Sequence, residues 1–474
     1  MNLPNIKEAR KRSEKEVLVK RDEYRVPLEM KKQGVGKYYC IYTYGCQMNV
    51  HDSENIKAIM EEMGYSLLEE MDEADVIILN TCAIRENAHN KVHGMLGRIK
   101  HLKEKKEGVI TVFCGCMAQE EGIALELKEK FPWVDIVMGT HNFHKLPFYL
   151  ENTLKTKKQE MEVFSVEGDV IEGIPVKRDS RYKAWINIMY GCDKFCTYCI
   201  VPYTRGRQRS RLPEDILREV NDLVSDGYLE VTLLGQNVNA YGKDLDLGYG
   251  MADLLRDVAK TGIERIRFVT SHPWDFTDEM IEVIALYKNI MPYIHLPLQS
   301  GSTRILEKMG RKYTRDEYRR LFYKIKEMIP NVAITTDIIV GFPGETEEDF
   351  IETLDLVDEL KYDLAYTFIY SKREGTPASC FEDDTSEEVK KERLQRLNEK
   401  INQYARENNE KYLGKVVKVL VEGESDKPGK LMGYTDTMKL VNIDNKKDVI
   451  GKIIDVKITE AKTWSLDGEI VDGE

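Results

Sequence analysis

The chain predicts an α/β protein in three parts: an N-terminal doubly wound parallel-sheet domain, a central partial (βα)6 barrel, and a small C-terminal antiparallel β-barrel. Three observations carry this. Strand and helix patterns alternate from residue 38 onward, as parallel sheets require. The alternation resumes near Ala184 and runs through six βα units, too few to close an eight-stranded barrel. After about residue 412, helical periodicity gives way to short β-branched runs between Gly and Asp turns.

Residues 1–36 are dense in charge and lack an apolar stripe; over residues 1–37 there are eleven Lys and Arg against six Asp and Glu, which predicts a flexible extension. The first domain, residues 37–155, is expected to hold strands at Tyr38–Tyr44, Val76–Leu79, Val109–Phe113 and Val134–Met138. Ile56, Ile59, Met60 and Met63 between the first two fall at helical spacing, and a second helix is expected from about Glu86 to Lys103. The central domain, residues 178–408, is expected to carry strands at Ala184–Met189, Glu230–Leu234, Arg265–Thr270, Tyr293–Leu296, Ala333–Val340 and Leu364–Ile369. Residues 384 to 411 read as a charged helical connector. The last domain, residues 411–474, shows strand runs at Val416–Val421, Lys439–Val441 and Ile450–Ile458.

Hydrophobic content of 42% and charged content of 32% are those of an ordinary soluble enzyme. No apolar run approaches the ~18 residues of a membrane helix, and Met-Asn-Leu-Pro followed by dense Lys, Arg and Glu is no signal core. Nine cysteines, an odd number and mostly at metal-like spacing, argue for reduced thiols in a cytoplasm. A net charge of −12 does not point to nucleic acid, although RNA responds to local patches more than to the total.

Cys192, Cys196 and Cys199 stand at C-x3-C-x2-C spacing. Three thiolates so close can hold three corners of a four-iron cube and leave the fourth iron open to a substrate or cosubstrate. A zinc site usually wants a fourth ligand, and no Cys or His follows closely downstream. A second set is dispersed: Cys46, Cys82 and Cys116 each lie just past the carboxyl end of an expected parallel strand. Such ends line one crevice, so the three thiols are expected to converge there as a second cluster site. A lone cysteine at a strand end would read as a small buried hydrophobe. Cys40 and Cys114 read as packing residues, with Cys114 the alternative ligand if the register slips by two, and Cys380 falls in a loop.

Together these segments resemble the methylthiotransferase family of radical S-adenosylmethionine (SAM) enzymes over nearly all of residues 38–474. The resemblance rests on Gly45-Cys46-Gln47-Met48-Asn49 with Asp52-Ser53, Asn80-Thr81-Cys82 with Arg85-Glu86-Asn87-Ala88, and Gly115-Cys116-Met117-Ala118-Gln119. It continues through Gly191 to Cys199 and Pro202-Tyr203-Thr204-Arg205-Gly206-Arg207. It implies an N-terminal cluster domain, a radical-SAM barrel and a C-terminal TRAM domain that binds RNA. It also implies two 4Fe-4S clusters and SAM as cofactors, an electron donor such as flavodoxin or ferredoxin, and a sulfur source. Gln47-Met48-Asn49 is similar to members that methylthiolate carbon 2 of N6-dimethylallyladenosine beside the tRNA anticodon. Sister members act on threonylcarbamoyladenosine in tRNA or on a ribosomal-protein aspartate. The chain is expected to act as a monomer.

The resemblance places an aromatic, here Tyr198, against the adenine of SAM, where a packing tyrosine would serve equally. Polar residues at the carboxyl ends of barrel strands are further candidates for SAM: Gly235, Gln236, Asn237, Ser300 and Gly341. Ser271, His272, Gln299 and Tyr370 fall at the same level, and His272 and His295 read as substrate contacts or hydrogen-bonded structural histidines. Arg205, Arg207, Arg209 and Arg211 alternate, and in an extended segment would form a guanidinium row for an RNA backbone. Arg205 could instead hold the SAM carboxylate, and internal carboxylates could claim some of the row. Over residues 411–474 there are eleven Lys and twelve Asp and Glu, so RNA binding there needs lysines segregated to one face. An iron–sulfur electron carrier, or an RNA-binding protein with structural zinc, would leave two incomplete cysteine sets unexplained.

Overall fold

The computed structural model describes residues 21–471 except 25, 84–85, 164–169 and 445–447, and for residues 21–23 and 86–90 the backbone alone. Residues 1–20, Arg85 and the side chains of Glu86, Asn87 and Ala88 in the quoted motif therefore lie outside the described residues.

The N-terminal sheet has six parallel strands in the order Ser66–Leu67, Tyr38–Thr43, Val76–Thr81, Ile110–Gly115, Ile136–Met138, Glu160–Glu162. The four apolar strands were legible; Ser66–Leu67 and Glu160–Glu162 are too short and polar to stand out. Val76 and Ile78 face one core while Ile77 and Leu79 face the other, so the continuous apolar run is a strand buried on both sides. Strand order reverses between Tyr38–Thr43 and Val76–Thr81, and a crevice opens at their carboxyl ends.

The flexible extension expected over residues 1–36 is corrected from residue 21 onward. Arg21–Glu23 pairs in parallel with Val170–Glu172, and Val26 and Met30 are buried in the N-terminal core. Two apolar residues four apart anchor this segment, and the surrounding charges mask them in the sequence.

All six expected barrel strands form: Lys183–Asn187, Glu230–Leu234, Arg265–Phe268, Tyr293–His295, Ala333–Val340 and Leu364–Ile369. They make two parallel three-stranded halves, joined where Ile266 bridges Ile290. Lys183–Asn187 and Leu364–Ile369 are the outer strands, and the barrel is open between them. The helix Glu387–Glu410, capped by the Ser386 hydroxyl, packs on Leu364–Ile369 and leads into the last domain.

That domain is a closed five-stranded barrel in the order Val416–Glu424, Lys430–Thr435, Leu440–Asp444, Leu466–Ile470, Ile453–Ala461. The expectation of a wholly antiparallel barrel is corrected: Leu440–Asp444 and Leu466–Ile470 pair in parallel. Lys430–Thr435 and Leu466–Ile470 escaped the sequence because Gly433 and Gly468 interrupt their apolar pattern. A Cβ at Gly433 would come within 2.3 Å of the Leu420 carbonyl oxygen, so glycine here permits close strand packing, not a turn. The small barrel docks against the amino ends of the central strands. Arg265 donates to the carbonyls of Lys418 (3.1 Å) and Tyr434 (3.0 Å), and Lys439 pairs with Asp363 (3.0 Å).

Candidate active site

Cys46, Cys82 and Cys116 meet in the N-terminal crevice. Cys46 precedes the helix Gln47–Glu62, Cys82 follows Val76–Thr81, and Cys116 opens a short 3-10 turn after Ile110–Gly115. Two glycines allow the approach. A Cβ on Gly45 would lie 2.9 Å from the Cβ of Cys82, and Gly115, at φ 94°, passes so close that its Cβ would sit 2.3 Å from the Thr81 carbonyl oxygen. A buried polar network fixes the loops: Asn49 donates to Asn80 Oδ1 (3.2 Å) and the Thr81 carbonyl (3.0 Å). Asn80 donates back to the Asn49 carbonyl (2.8 Å) and to Ser53 (2.9 Å). These are the polar residues of the sequence motifs, and their work is bracing the thiols. Cys114 points into the core on the other side and its carbonyl accepts from Thr81, so Cys116 is the residue that faces the crevice. Cys40 is core, and Cys380 is exposed.

The second set lies in a loop closed by the antiparallel pairing of Met189–Tyr190 with Arg209–Ser210 and by the Cys192 amide donating to the Gly206 carbonyl (3.0 Å). Phe195, at φ 47°, turns the chain between the first two cysteines. The Thr197 amide bonds the Met309 carbonyl (2.9 Å). Each set carries one buried guanidinium on a sulfur. Arg205 donates through Nε to Cys116 Sγ (3.3 Å) and through Nη2 to Asp52 (2.7 Å). Arg311 donates through Nη1 to Cys196 Sγ (3.6 Å), and its other nitrogens bond the Pro297 carbonyl and the Tyr313 hydroxyl.

Both sets open on one cavity of about 1570 Å3, lined by Cys46, Cys82, Cys116 and Cys199. A small apolar cluster of Ala83, Cys116, Ile200 and Tyr203, with Phe195 against it, joins the two loops. Burial pushes the thiols of Cys116 and Cys199 up to about 12, with Arg205 and Arg311 respectively pulling the other way. Such thiols become thiolates at neutral pH only beside added positive charge, which iron supplies. A four-iron cube spreads its irons over separate corners, so its thiols stand wider than the ligands of one ion. Among the described residues no three Cys, His, Asp or Glu close around a single-ion site. The donor chemistry and the shared cavity fit two clusters, each with one iron free of protein ligands.

Of the SAM candidates, Tyr198, Gly235 and Gln236 line the cavity, and Gln236 accepts from the Gly191 amide beside Cys192. Tyr198 also packs edge-on to Phe342. The other three are not among the residues lining the cavity: Asn237 donates to Asp275 (2.7 Å), Ser300 is buried against Thr353, and the Gly341 amide donates to Glu345 (2.9 Å).

The expectation of one extended guanidinium row is corrected: all four arginines are engaged within the protein. Arg205 is buried on Asp52, and Arg207 forks onto Asp193 (2.6 and 3.1 Å). Arg209 is buried and donates to the carbonyls of Arg205 and Arg207. Arg211 bridges Glu172 and Glu219, both at 2.8 Å. Arg205 ends a helical turn and Gly206 has φ 79°, so the chain is extended only from Arg209 and the period of two does not hold across the four.

Three family models match this chain: the uncharacterized protein family UPF0004 over residues 38–139, the Radical SAM superfamily over 186–357, and the TRAM domain over 410–471. The tRNA-2-methylthio-N(6)-dimethylallyladenosine synthase of Bacillus cytotoxicus is 56% identical, covering 99% of this chain and 92% of its own length. The protein of the same name from Halalkalibacterium halodurans is 54% identical, covering 99% and 88%. The chain belongs to this synthase family. It is accordingly a radical SAM methylthiotransferase whose cofactors are two 4Fe-4S clusters and SAM. Among solved structures, the radical SAM methyltransferase TsrM from Kitasatospora setae superposes with a TM-score of 0.54 at 15% identity, over 72% of this chain and 74% of its own, a likeness of fold alone.

In this methylthiotransferase His295, a candidate from its strand end, reaches the cavity among residues that had no local signal. His295 contacts Asp337 (3.3 Å) and Thr335 (2.9 Å), and Glu230, Arg267 and Trp464 face the same space. Only the alternation of inward residues along barrel strands could have found Thr335, Asp337, Glu230 and Arg267. His272 is structural: its Nδ1 accepts from the Trp274 amide, and burial, aided by Arg311 and Lys194, holds it down at about 2. Unfolded, it binds a proton below about 6.5. The unfolded state thus gains protons first, and stability falls as pH drops from about 6.5 toward 2, by up to about 1.4 kcal/mol per pH unit. Replacing His272 by Gln is expected to flatten this part of the acid-denaturation curve; an unchanged slope would contradict it.

Proposed function

We propose that this chain methylthiolates carbon 2 of N6-dimethylallyladenosine next to the tRNA anticodon, giving 2-methylthio-N6-dimethylallyladenosine. The observation that carries the reading is the meeting of two three-thiol sets on one cavity, in a chain whose full-length relatives bear that enzyme's name. Cys192, Cys196 and Cys199 would hold the cluster that binds SAM, and Cys46, Cys82 and Cys116 the cluster that handles sulfur. When bound, these groups and two SAM molecules supply the radical, the sulfur and the methyl group. Arg311 and Arg205 orient one sulfur in each set. Tyr198, Gly235 and Gln236 shape the cavity wall near Cys199. The N-terminal domain and the barrel enclose the reacting atoms between them, which limits access of water.

The substrate is the anticodon stem-loop of a tRNA carrying dimethylallyladenosine, with a flavodoxin or ferredoxin as electron donor and a separate sulfur source. Among the described residues no helix is long and apolar enough to cross a membrane. We place the enzyme in the cytoplasm, as a monomer, with the first domain widened from 37–155 to take in Val26, Met30 and the strand Glu160–Glu162, and with further domains at 178–408 and 411–474. Nucleoside mass spectrometry of tRNA from a strain lacking the gene tests the reading. Loss of 2-methylthio-N6-dimethylallyladenosine with accumulation of its unthiolated precursor is expected. Persistence of that nucleoside would overturn the substrate; loss of the methylthio-threonylcarbamoyl form instead would name the sister one, and no change in either would point to the ribosomal-protein aspartate.

A further inference from the structure

The cavity has an aromatic margin that the thiol chemistry does not use. Leu364–Ile369 is an outer strand of the open barrel. Its Ala365 and Ile369 pack toward the core, and Thr367 bonds Asn398 of the helix Glu387–Glu410. The alternate residues Tyr366 and Phe368 line the cavity, with Thr367 and Ile369 also at its wall, followed by Tyr370. Tyr366 and Phe368 are 47% and 50% exposed, although they lie in the middle of a barrel strand. Trp464 of the C-terminal barrel lines the same cavity and is 55% exposed. It follows Thr463, whose carbonyl accepts from Asn409 (3.1 Å) at the end of the helix that backs this strand. The margin therefore runs from the C-terminal barrel along the strand to Tyr370, which packs with Phe342 and Tyr198 beside the Cys199 loop.

Large aromatic faces left half in water along one rim mark a binding surface more than a packing accident. Residues two apart on a strand stand about 6.8 Å apart, and a nucleobase takes up about 3.4 Å of stack. One base fits between two such rings. Every base has a π-face, and proteins that read single-stranded RNA loops stack splayed bases on aromatic side chains. We propose that Trp464, Tyr366 and Phe368 form a stacking ladder that holds unpaired bases of the RNA loop and leads the target base to the thiol sets. This rests on the RNA reading above and gives it an address: the rim of the open barrel, in place of the internally paired arginines.

The test uses the full chain and a synthetic anticodon stem-loop carrying dimethylallyladenosine, with the dissociation constant measured over a range of salt. Phe368→Ala and Trp464→Ala are each expected to weaken binding about tenfold or more. Trp464→Phe and Phe368→Tyr, which keep a ring, should restore most of it. Because no charge is removed, the slope of log affinity against log salt should stay that of the unsubstituted chain. Unaltered affinity in both alanine variants, or ring-keeping variants as weak as alanine in chains that melt normally, would overturn the ladder while leaving the RNA reading intact. An unsubstituted chain that does not bind the stem-loop would overturn both.

Discussion

Replacing Arg205 by Met lowers the stability of the iron-free chain by about 3–5 kcal/mol, the cost of stranding one partner of a buried ion pair. The side chains of Arg205 and Asp52 are 6% and 5% exposed, so water cannot replace the lost contact. The pair also spans two domains, since Asp52 lies on the first helix and Arg205 follows the Cys199 loop. Thr140 adds a parallel tie to the Thr204 carbonyl (2.8 Å). The expected signs are a melting temperature lower by several degrees and a looser junction between the thiol sets. The double replacement Arg205→Met with Asp52→Leu should recover most of the loss, because it removes both charges together. The same guanidinium donates to Cys116 Sγ. In the loaded enzyme its removal takes away positive charge and a hydrogen bond, which should lower the reduction potential of the Cys46/Cys82/Cys116 cluster relative to the other. Single variants that melt like the unsubstituted chain, with both potentials unmoved, would show that Arg205 neither ties the domains nor tunes the cluster.

The two thiol sets should separate by function. Cys46→Ala is expected to abolish the methylthio nucleoside while SAM cleavage persists at a measurable rate, since Cys192, Cys196 and Cys199 sit in a different loop with their own backbone ties. Cys192→Ala is expected to abolish both. The effect is all or none because three thiols are the fewest that hold a cube with one open corner, and two leave it labile. Liquid chromatography of the SAM products and mass spectrometry of the RNA measure the two activities in one reaction. Methylthio product from Cys46→Ala would remove the N-terminal set from the chemistry.

Much of this architecture is legible in the sequence, for physical reasons. Central strands buried on both faces leave unbroken apolar runs, so Val76–Leu79 declares itself. Topology then does the rest for Cys46, Cys82 and Cys116: parallel strands must end at one edge, and thiols at those ends must meet. What stayed hidden depends on partners distant in sequence. Asp52, Glu172 and Glu219 claim Arg205 and Arg211 from elements that local spacing cannot relate to them. Asn237, Ser300 and Gly341 were placed at the correct level of the barrel, yet turn toward Asp275, Thr353 and Glu345. Trp464 reaches the cavity only because the C-terminal barrel docks on the central one, which no single stretch records.

Iron and labile sulfide, counted on protein reconstituted without oxygen, test the central claim of two independent three-thiol sites most directly. The unsubstituted chain should hold about eight of each, and each of two triple alanine variants, one at Cys46, Cys82 and Cys116 and one at Cys192, Cys196 and Cys199, about four. Zinc without sulfide, or a triple variant that keeps the full complement of iron, would contradict it.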